Sequence, residues 1–344
     1  MALPAAMSVR KVLLSVVVPC FNEEAVIGLT HRRLVEVLGA DPGFDLEIVY
    51  VNDGSRDRTE ALLFELADRD PRVKAVSFTR NFGHQPAVSA GLQYASGDAV
   101  AVIDADLQDP PEVILRLVEK WREGYDVVNA VREKRKEGIG KRFAYAVFYK
   151  LYRLLASIDV PLDSGDFALM DRRVVDVMNS LPEKNRFVRG LRSWSGFRQT
   201  GVAYERASRA AGETKYSFRK LLRLAFDGIV NFSTAPLSFI FGLGVVTATV
   251  AMCAAVVYLV ARIFAIPIFG YTPSEAPGFT TLILTILFFS GVQLISIGIV
   301  GEYLGRIYQE TKMRPTFVVK EVRGAREAAA AQPARVAERP ARAV

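Results

Sequence analysis

The chain has 344 residues, 51% hydrophobic and 24% charged, a balance that excludes a disordered protein or a disulfide scaffold and leaves room for about two domains. Its formal charge of +7, from 44 basic and 37 acidic side chains, is modest for this length, and with no matching motif present a nucleic-acid partner is not expected. Two histidines exclude His-rich zinc centres, and the two distant cysteines, Cys20 and Cys253, stand in apolar runs, where they read as small core fillers in a reducing compartment.

Residues 1–11 form an N-terminal extension without a long apolar stretch, so no signal peptide is expected. Beyond it, apolar runs alternate with helical patterns. Strands are expected at 12–19, 46–51, 73–78, 99–103 and 126–131, and helices near 24–38, 58–69, 85–95 and 111–123. Runs buried on both faces and separated by helices imply an α/β domain with a doubly wound, mostly parallel sheet over residues 12–214. Segments 141–158 and 215–232 interleave aromatic and aliphatic residues with Lys and Arg. Each reads either as a basic amphipathic helix in the headgroup region or as a core-facing helix with a solvated basic face; the second, directly before an apolar run, favours the membrane reading.

No charged residue occurs from 228 to 261, nor across the 26 residues from 276 to 301; roughly 20 apolar residues suffice to cross a bilayer. Two transmembrane helices are therefore expected, 233–264 and 279–303, joined by an external loop, 265–278. Lys and Arg flank both outer ends and are absent from that loop. By the positive-inside rule this is a multi-pass protein of the inner (plasma) membrane, with its 12–214 domain and a segment 304–323 in the cytoplasm. The Ala-, Arg- and Pro-rich stretch 324–344 reads as a disordered tail.

In doubly wound sheets ligands bind beyond the carboxyl ends of the strands. Polar residues follow each of the first four: Asn22-Glu23-Glu24, Asn52-Asp53-Gly54-Ser55, Arg80-Asn81-Phe82-Gly83-His84 and Asp104-Ala105-Asp106-Leu107-Gln108-Asp109. GxGxxG after the first strand and GxxxxGK[ST] are both absent, which counts against dinucleotide oxidoreductases and P-loop kinases. Such a rim suits a nucleotide carried with a divalent cation, because Mg²⁺ or Mn²⁺ takes one or two carboxylates plus substrate phosphates. Asp104, Asp106 and Gln108 are the metal candidates, though a DxD pair also caps helices. Asp53 is placed to meet base and ribose, or else serves the turn with Gly54. His84 reads as an ordinary helix-start residue, since nothing near it in sequence completes a triad.

Val18-Pro19, Asn22-Glu23, Asn52-Asp53-Gly54-Ser55 and Asp104-Ala105-Asp106, in this order, resemble a family 2 glycosyltransferase with its DxD metal motif. Arg80-Asn81-Phe82-Gly83-His84-Gln85, the string DADLQDPPE from Asp104, Ser164-Gly165-Asp166-Phe167 and Gly212-Glu213-Thr214-Lys215-Tyr216-Ser217 narrow the likeness. They are similar to polyprenyl-phosphate glycosyltransferases, in particular the bactoprenol (undecaprenyl-phosphate) glucosyltransferases of O-antigen modification, relatives of dolichol-phosphate mannosyltransferase. The likeness spans residues 13–319, and Asn52 departs from it where members often carry Asp.

The resemblance implies a glycosyltransferase A fold and metal-dependent, inverting transfer of glucose from UDP-glucose to undecaprenyl phosphate. It also implies a homo-oligomer, a tetramer, and donor contacts from Pro19, Asn22, Glu23, Asp53, Arg80 and Asp104. GDP-mannose or another UDP-sugar is the alternative donor. A non-catalytic membrane scaffold is the alternative of a different class.

Charge assigns the remaining candidates. The departing diphosphate gathers negative charge, which a metal at Asp104 and the catalytic candidate Asp106 would offset, with support from Arg206, Arg209 and Lys215. A polyprenyl phosphate is already anionic and needs a cationic cradle, for which Arg132, Lys141 and Arg142 are candidates. Asp166 is the second catalytic candidate, as a base or as an orienter of acceptor and sugar, although the same residue can also cap a turn.

Overall fold

The computed structural model describes residues 11–132, 164–184, 186–205, 235–264 and 279–324. The described residues up to 205, together with 314–324, form one unit, and 235–264 with 279–313 form another.

The expected apolar runs of the first unit become β1 (Val12–Cys20), β2 (Phe44–Asn52), β3 (Val73–Phe78), β4 (Ala99–Val102) and β5 (Val127–Arg132). Between them lie α1 (Ile27–Leu38), α2 (Thr59–Arg69), α3 (His84–Tyr94) and α4 (Glu112–Arg122). Five further elements were not expected from sequence: β6 (Ser164–Asp171), α5 (Arg172–Ser180), α6 (Val188–Trp194), β7 (Gln199–Tyr204) and β8 (Val319–Arg323). The eight strands make one sheet in the order β7-β5-β6-β4-β1-β2-β3-β8. β4, β1, β2 and β3 run parallel, as does β7 beside β5. β6 is antiparallel to both β4 and β5, and β8 is antiparallel to β3. The fold is thus a glycosyltransferase-A-like α/β domain with a mostly parallel sheet.

Side-chain alternation divides the core between the two faces. Leu14, Val16 and Val18 of β1 point to one face, where Leu34 and Leu38 of α1, Leu63 of α2 and Ile114 of α4 complete a single apolar cluster. Val17 points to the other, onto α3. A Cβ at Gly91 of α3 would sit 2.1 Å from Val17 Cγ1, so only glycine allows this helix to lie so close to the sheet. β8 covers the β3 edge: Phe317 stacks on Phe78 with centroids 5.0 Å apart, and Lys320 pairs with Glu60 at 2.7 Å. The segment 304–323, expected only as a cytoplasmic stretch, therefore ends as part of the sheet, and it protects an edge that would otherwise be open to pairing.

Near the amino ends of the strands a buried ion pair is fully dressed with hydrogen bonds. Lys74, 3% exposed, lies 3.3 Å from Glu47 and donates to the Tyr94 carbonyl at 2.8 Å. Glu47 also accepts from Ser15 Oγ and the Ser96 amide. Lys74→Met removes the cation and strands the carboxylate, so it should lower unfolding free energy by about 3 kcal/mol. Denaturant titration measures this; a loss below about 1 kcal/mol would mean that water already solvates the pair.

The second unit contains α7 (Ala235–Ile263, 29 residues) and α8 (Phe279–Thr311, 33 residues). Both expected spans are helical, and the second runs on past 303 to Thr311. Among the described residues one stretch, Phe288–Thr311, is long and apolar enough by length and composition to cross a membrane. Cys20 is buried as expected, but Cys253 is exposed on α7 and fills no core, because that helix turns apolar side chains such as Phe241, Met252 and Val257 outward along its length. The segments 141–158 and 215–232, the loop 265–278 and the tail from 325 lie outside the described residues.

Candidate active site

The carboxyl ends of β1, β2 and β4 meet the start of α3 around a cleft of about 310 Å³, lined by Pro19, Glu23, Asp53, His84, Asp104 and Asp106 among others. Short hydrogen bonds between loops shape it. The amide of Asn22, which has φ +57°, donates to Ser55 Oγ, its Oδ1 accepts from the Arg56 amide, and the Glu23 amide donates to Thr59 Oγ1. Asn52 accepts from the Ser55 amide and donates to Ser77 Oγ at 2.9 Å, so an amide satisfies this buried position. Gly54 has φ +63°, and a Cβ there would come within 2.3 Å of the Arg80 backbone; both features require glycine.

Asp53, 3% exposed, accepts from the amides of Phe82 at 2.7 Å and Gly83 at 2.9 Å. It therefore pins the loop after β3 to the end of β2 while still lining the cleft. Burial raises its carboxyl above the ordinary value, against the pull of those two amides. Arg80 lies outside the lining residues, with its guanidinium 4.0 Å from the Phe82 ring centroid.

Asp104 and Asp106 follow β4 directly. The carbonyl between them, on Ala105, accepts from Thr30 Oγ1 at 2.6 Å, and Asp106 Oδ1 accepts from the Gln108 amide at 3.0 Å. Leu107, at φ +54°, closes this turn. Gln108 thus contributes through its backbone, and its side chain is not among those lining the cleft.

Among the described residues no three of His, Cys, Asp and Glu form a ready metal cage. Burial nevertheless raises the Asp104 carboxyl, and Asp109, Asp166 and Asp106 push the same way against His84. Such an excess of negative charge suits a divalent cation, and two carboxylates completed by substrate phosphates and water are a normal Mg²⁺ or Mn²⁺ set. The residues fit such a group, and Asp104 and Asp106 are the candidates to hold it.

Asp166, outside the lining residues but bonded to His84, is 8% exposed near the start of β6 and accepts from three side chains. Arg189 Nε of α6 donates at 2.8 Å, Gln85 Nε2 at 3.0 Å, and His84 Nε2 lies at 3.0 Å. Gln85 Oε1 accepts from the Val188 amide at 2.9 Å, which fixes the amide so that its NH₂ faces the carboxylate. Burial alone would raise Asp166, yet His84 and Arg189 hold it well below the usual carboxylate range. Burial alone would lower His84, whereas Asp166, helped by Asp104 at 4.0 Å, raises it. His84, which reads in the sequence as an ordinary helix-start residue, therefore has a carboxylate partner in space. Arg189 and Gln85 are site residues that sequence reasoning missed.

Arg132, at the end of β5, donates from Nε to the Tyr204 hydroxyl at 3.2 Å and lies 3.8 Å from Asp109. Tyr204 in turn donates to Asp109 Oδ1 at 2.5 Å, and burial together with that bond pushes its hydroxyl up to about 12. The other cationic candidates, Lys141, Arg142, Arg206, Arg209 and Lys215, lie outside the described residues.

The family model of Glycosyl transferase family 2 matches residues 15–178. Over 316 residues the chain is 48% identical to the uncharacterized glycosyltransferase YkcC of Bacillus subtilis (strain 168), covering 92% of this chain and 95% of that one. It is 44% identical to the prophage bactoprenol glucosyl transferase homolog of Escherichia coli (strain K12), over 90% of this chain and 99% of the relative. It is 45% identical to the bactoprenol glucosyl transferase of Shigella phage SfV, over 89% and 98%.

Proposed function

The chain belongs to glycosyl transferase family 2, and on that premise we propose that it transfers glucose from UDP-glucose to the phosphate of a polyprenyl lipid, undecaprenyl phosphate. The state of Asp166 carries this reading. Transfer to a hydroxyl needs a base for its proton, but Asp166 already accepts from Arg189, Gln85 and His84 and is held below the carboxylate range. A carboxylate so occupied is a poor proton acceptor. A phosphate monoester is anionic at neutral pH and needs no base, only orientation and a cationic surrounding. Arg132, half-exposed beside the site, supports that role, and relatives named bactoprenol glucosyl transferases support the lipid and the sugar.

The chemistry then divides among the residues. Pro19, Asn22, Glu23, Asp53 and Arg80 are read as the nucleotide side. Asp104 and Asp106 would hold Mg²⁺ or Mn²⁺, which, when bound, offsets the charge gathering on the leaving diphosphate. Arg189 brings a positive charge to Asp166, and Asp166 orients the His84 ring at the edge of the cleft. A phosphate oxygen attacks the anomeric carbon in line; the new C–O bond forms as the bond to the diphosphate breaks, which inverts the configuration.

The apolar side chains that α7 and α8 turn outward, Phe239, Phe241, Leu294 and Ile297 among them, support both helices as membrane spans. In this reading the catalytic domain lies on the cytoplasmic face.

A transfer assay tests the proposal. Full-length protein in detergent receives undecaprenyl phosphate, Mn²⁺ or Mg²⁺, and in separate tubes labelled UDP-glucose, UDP-N-acetylglucosamine or GDP-mannose. Label from UDP-glucose should enter the organic phase and vanish with a chelator. Label from GDP-mannose alone would reassign the donor, and no lipid label in any tube would sink the acceptor.

A further inference from the structure

Next to the Asp104–Asp106 turn, Arg132 contacts two residues, Tyr204 and Asp109, to which the transfer reaction assigns no role. Arg132 and Tyr204 are register partners at the ends of the parallel strands β5 and β7. Tyr204, 3% exposed, sets its ring edge-on to Phe167 with centroids 5.5 Å apart. A guanidinium Nε only donates, so the Tyr204 oxygen must accept from Arg132, at 3.2 Å, and spend its one proton on Asp109, at 2.5 Å. Both bonds have a fixed direction.

The arrangement is unusual in what it prevents. Asp109 is 1% exposed, and an arginine beside a buried carboxylate ordinarily closes into a bidentate pair. Here the terminal Arg132 nitrogen stays 3.8 Å from Asp109 Oδ2, with the phenol oxygen between the two groups. The guanidinium stands against the start of β6, where a Cβ on Gly165 would come within 3.1 Å of it. The guanidinium thus lies close against Gly165, and the arginine side chain remains 36% exposed.

We propose that Tyr204 is a positioning residue for the phosphate acceptor: interposed between Arg132 and Asp109, it stops the guanidinium from closing onto the buried carboxylate and keeps it presented to the acceptor's phosphate. The inference rests on the reading of Arg132 as an acceptor contact. Without the hydroxyl, the spacer between the two charges is gone, and a direct pair would turn the N–H groups inward.

The test measures KM separately for undecaprenyl phosphate and UDP-glucose on the full chain. The variants are Tyr204→Phe, Asp109→Asn, their combination, and Arg132→Ala. Phe keeps the ring against Phe167, and a thermal midpoint checks the fold. Tyr204→Phe should raise the acceptor KM about tenfold and leave the donor KM within about twofold. Adding Asp109→Asn, which removes the capturing charge, should bring the acceptor KM back toward wild type.

An unchanged acceptor KM, equal rises in both KM values, or a double variant worse than the single one would overturn the proposal. If Tyr204→Phe fails to fold, Asp109→Asn alone decides: an acceptor KM at or below wild type supports the proposal, and a rise of about tenfold overturns it. Arg132→Ala separates the two levels. If it leaves the acceptor KM unchanged, the acceptor reading of Arg132 fails; if it raises that KM while Tyr204→Phe does not, only the Tyr204 inference fails.

Discussion

Asp106→Asn should slow sugar transfer by about 10²- to 10³-fold while leaving the fold as stable as before. The amide keeps the oxygen that accepts from the Gln108 amide, so the turn survives and only the charge is lost. Asp104→Asn should be as inactive and should melt at or above the wild-type temperature. Its carboxyl is raised by burial and by the crowding of Asp109, Asp166 and Asp106. A carboxylate whose folded pKa is raised destabilises the fold once it ionises, so removing that charge relieves the domain at neutral pH. Loss of function with gain of stability is what a site kept under strain for binding predicts. Transfer rates and thermal melts on the same preparation test both statements. A rate within about tenfold of wild type for Asp106→Asn would remove this pair from the leaving-group side.

β1 to β5 are legible because they are mostly apolar runs broken by few polar residues, and doubly buried strands carry that pattern wherever they occur. β6 and β8 escaped for different reasons. β6 opens on the polar Ser164-Gly165-Asp166, which drew attention as a motif rather than as a strand. β8 is five residues long with a mixed pattern, VKEVR, and its partner β3 lies far back in the chain.

The site divides in the same way. Asp104 and Asp106 share one turn and could be paired by eye. His84 and Asp166 are 82 residues apart and meet only because α3 and β6 converge. Arg189 has no spacing that marks it, so the sequence alone leaves Asp166 between base and orienter. Asn52, a departure from the family pattern, is explained by its two hydrogen bonds.

Arg189→Met should lower transfer about 10²-fold, because Asp166 and His84 lose the group that fixes them, and displacements of about 1 Å are that costly in an active site. It should also cost about 2 kcal/mol of stability at neutral pH, the scale of a lost hydrogen bond to a charged group. The pH dependence follows from the sign of the shift. The folded Asp166 carboxyl is depressed, so its stabilisation is fully present above the ordinary Asp range, near about 4, and drains away as pH falls toward the folded value. In Arg189→Met the carboxyl is less depressed. The stability gap to wild type should therefore be widest at neutral pH and narrow in acid. Asp166→Asn added to Arg189→Met removes the stranded charge and should recover most of the stability but none of the rate. Melts from neutral to acid pH, with transfer rates for the single and double variants, separate these effects. A gap that stays constant with pH would mean that Arg189 acts through packing, and recovery of rate in the double variant would show that neither charge takes part in catalysis.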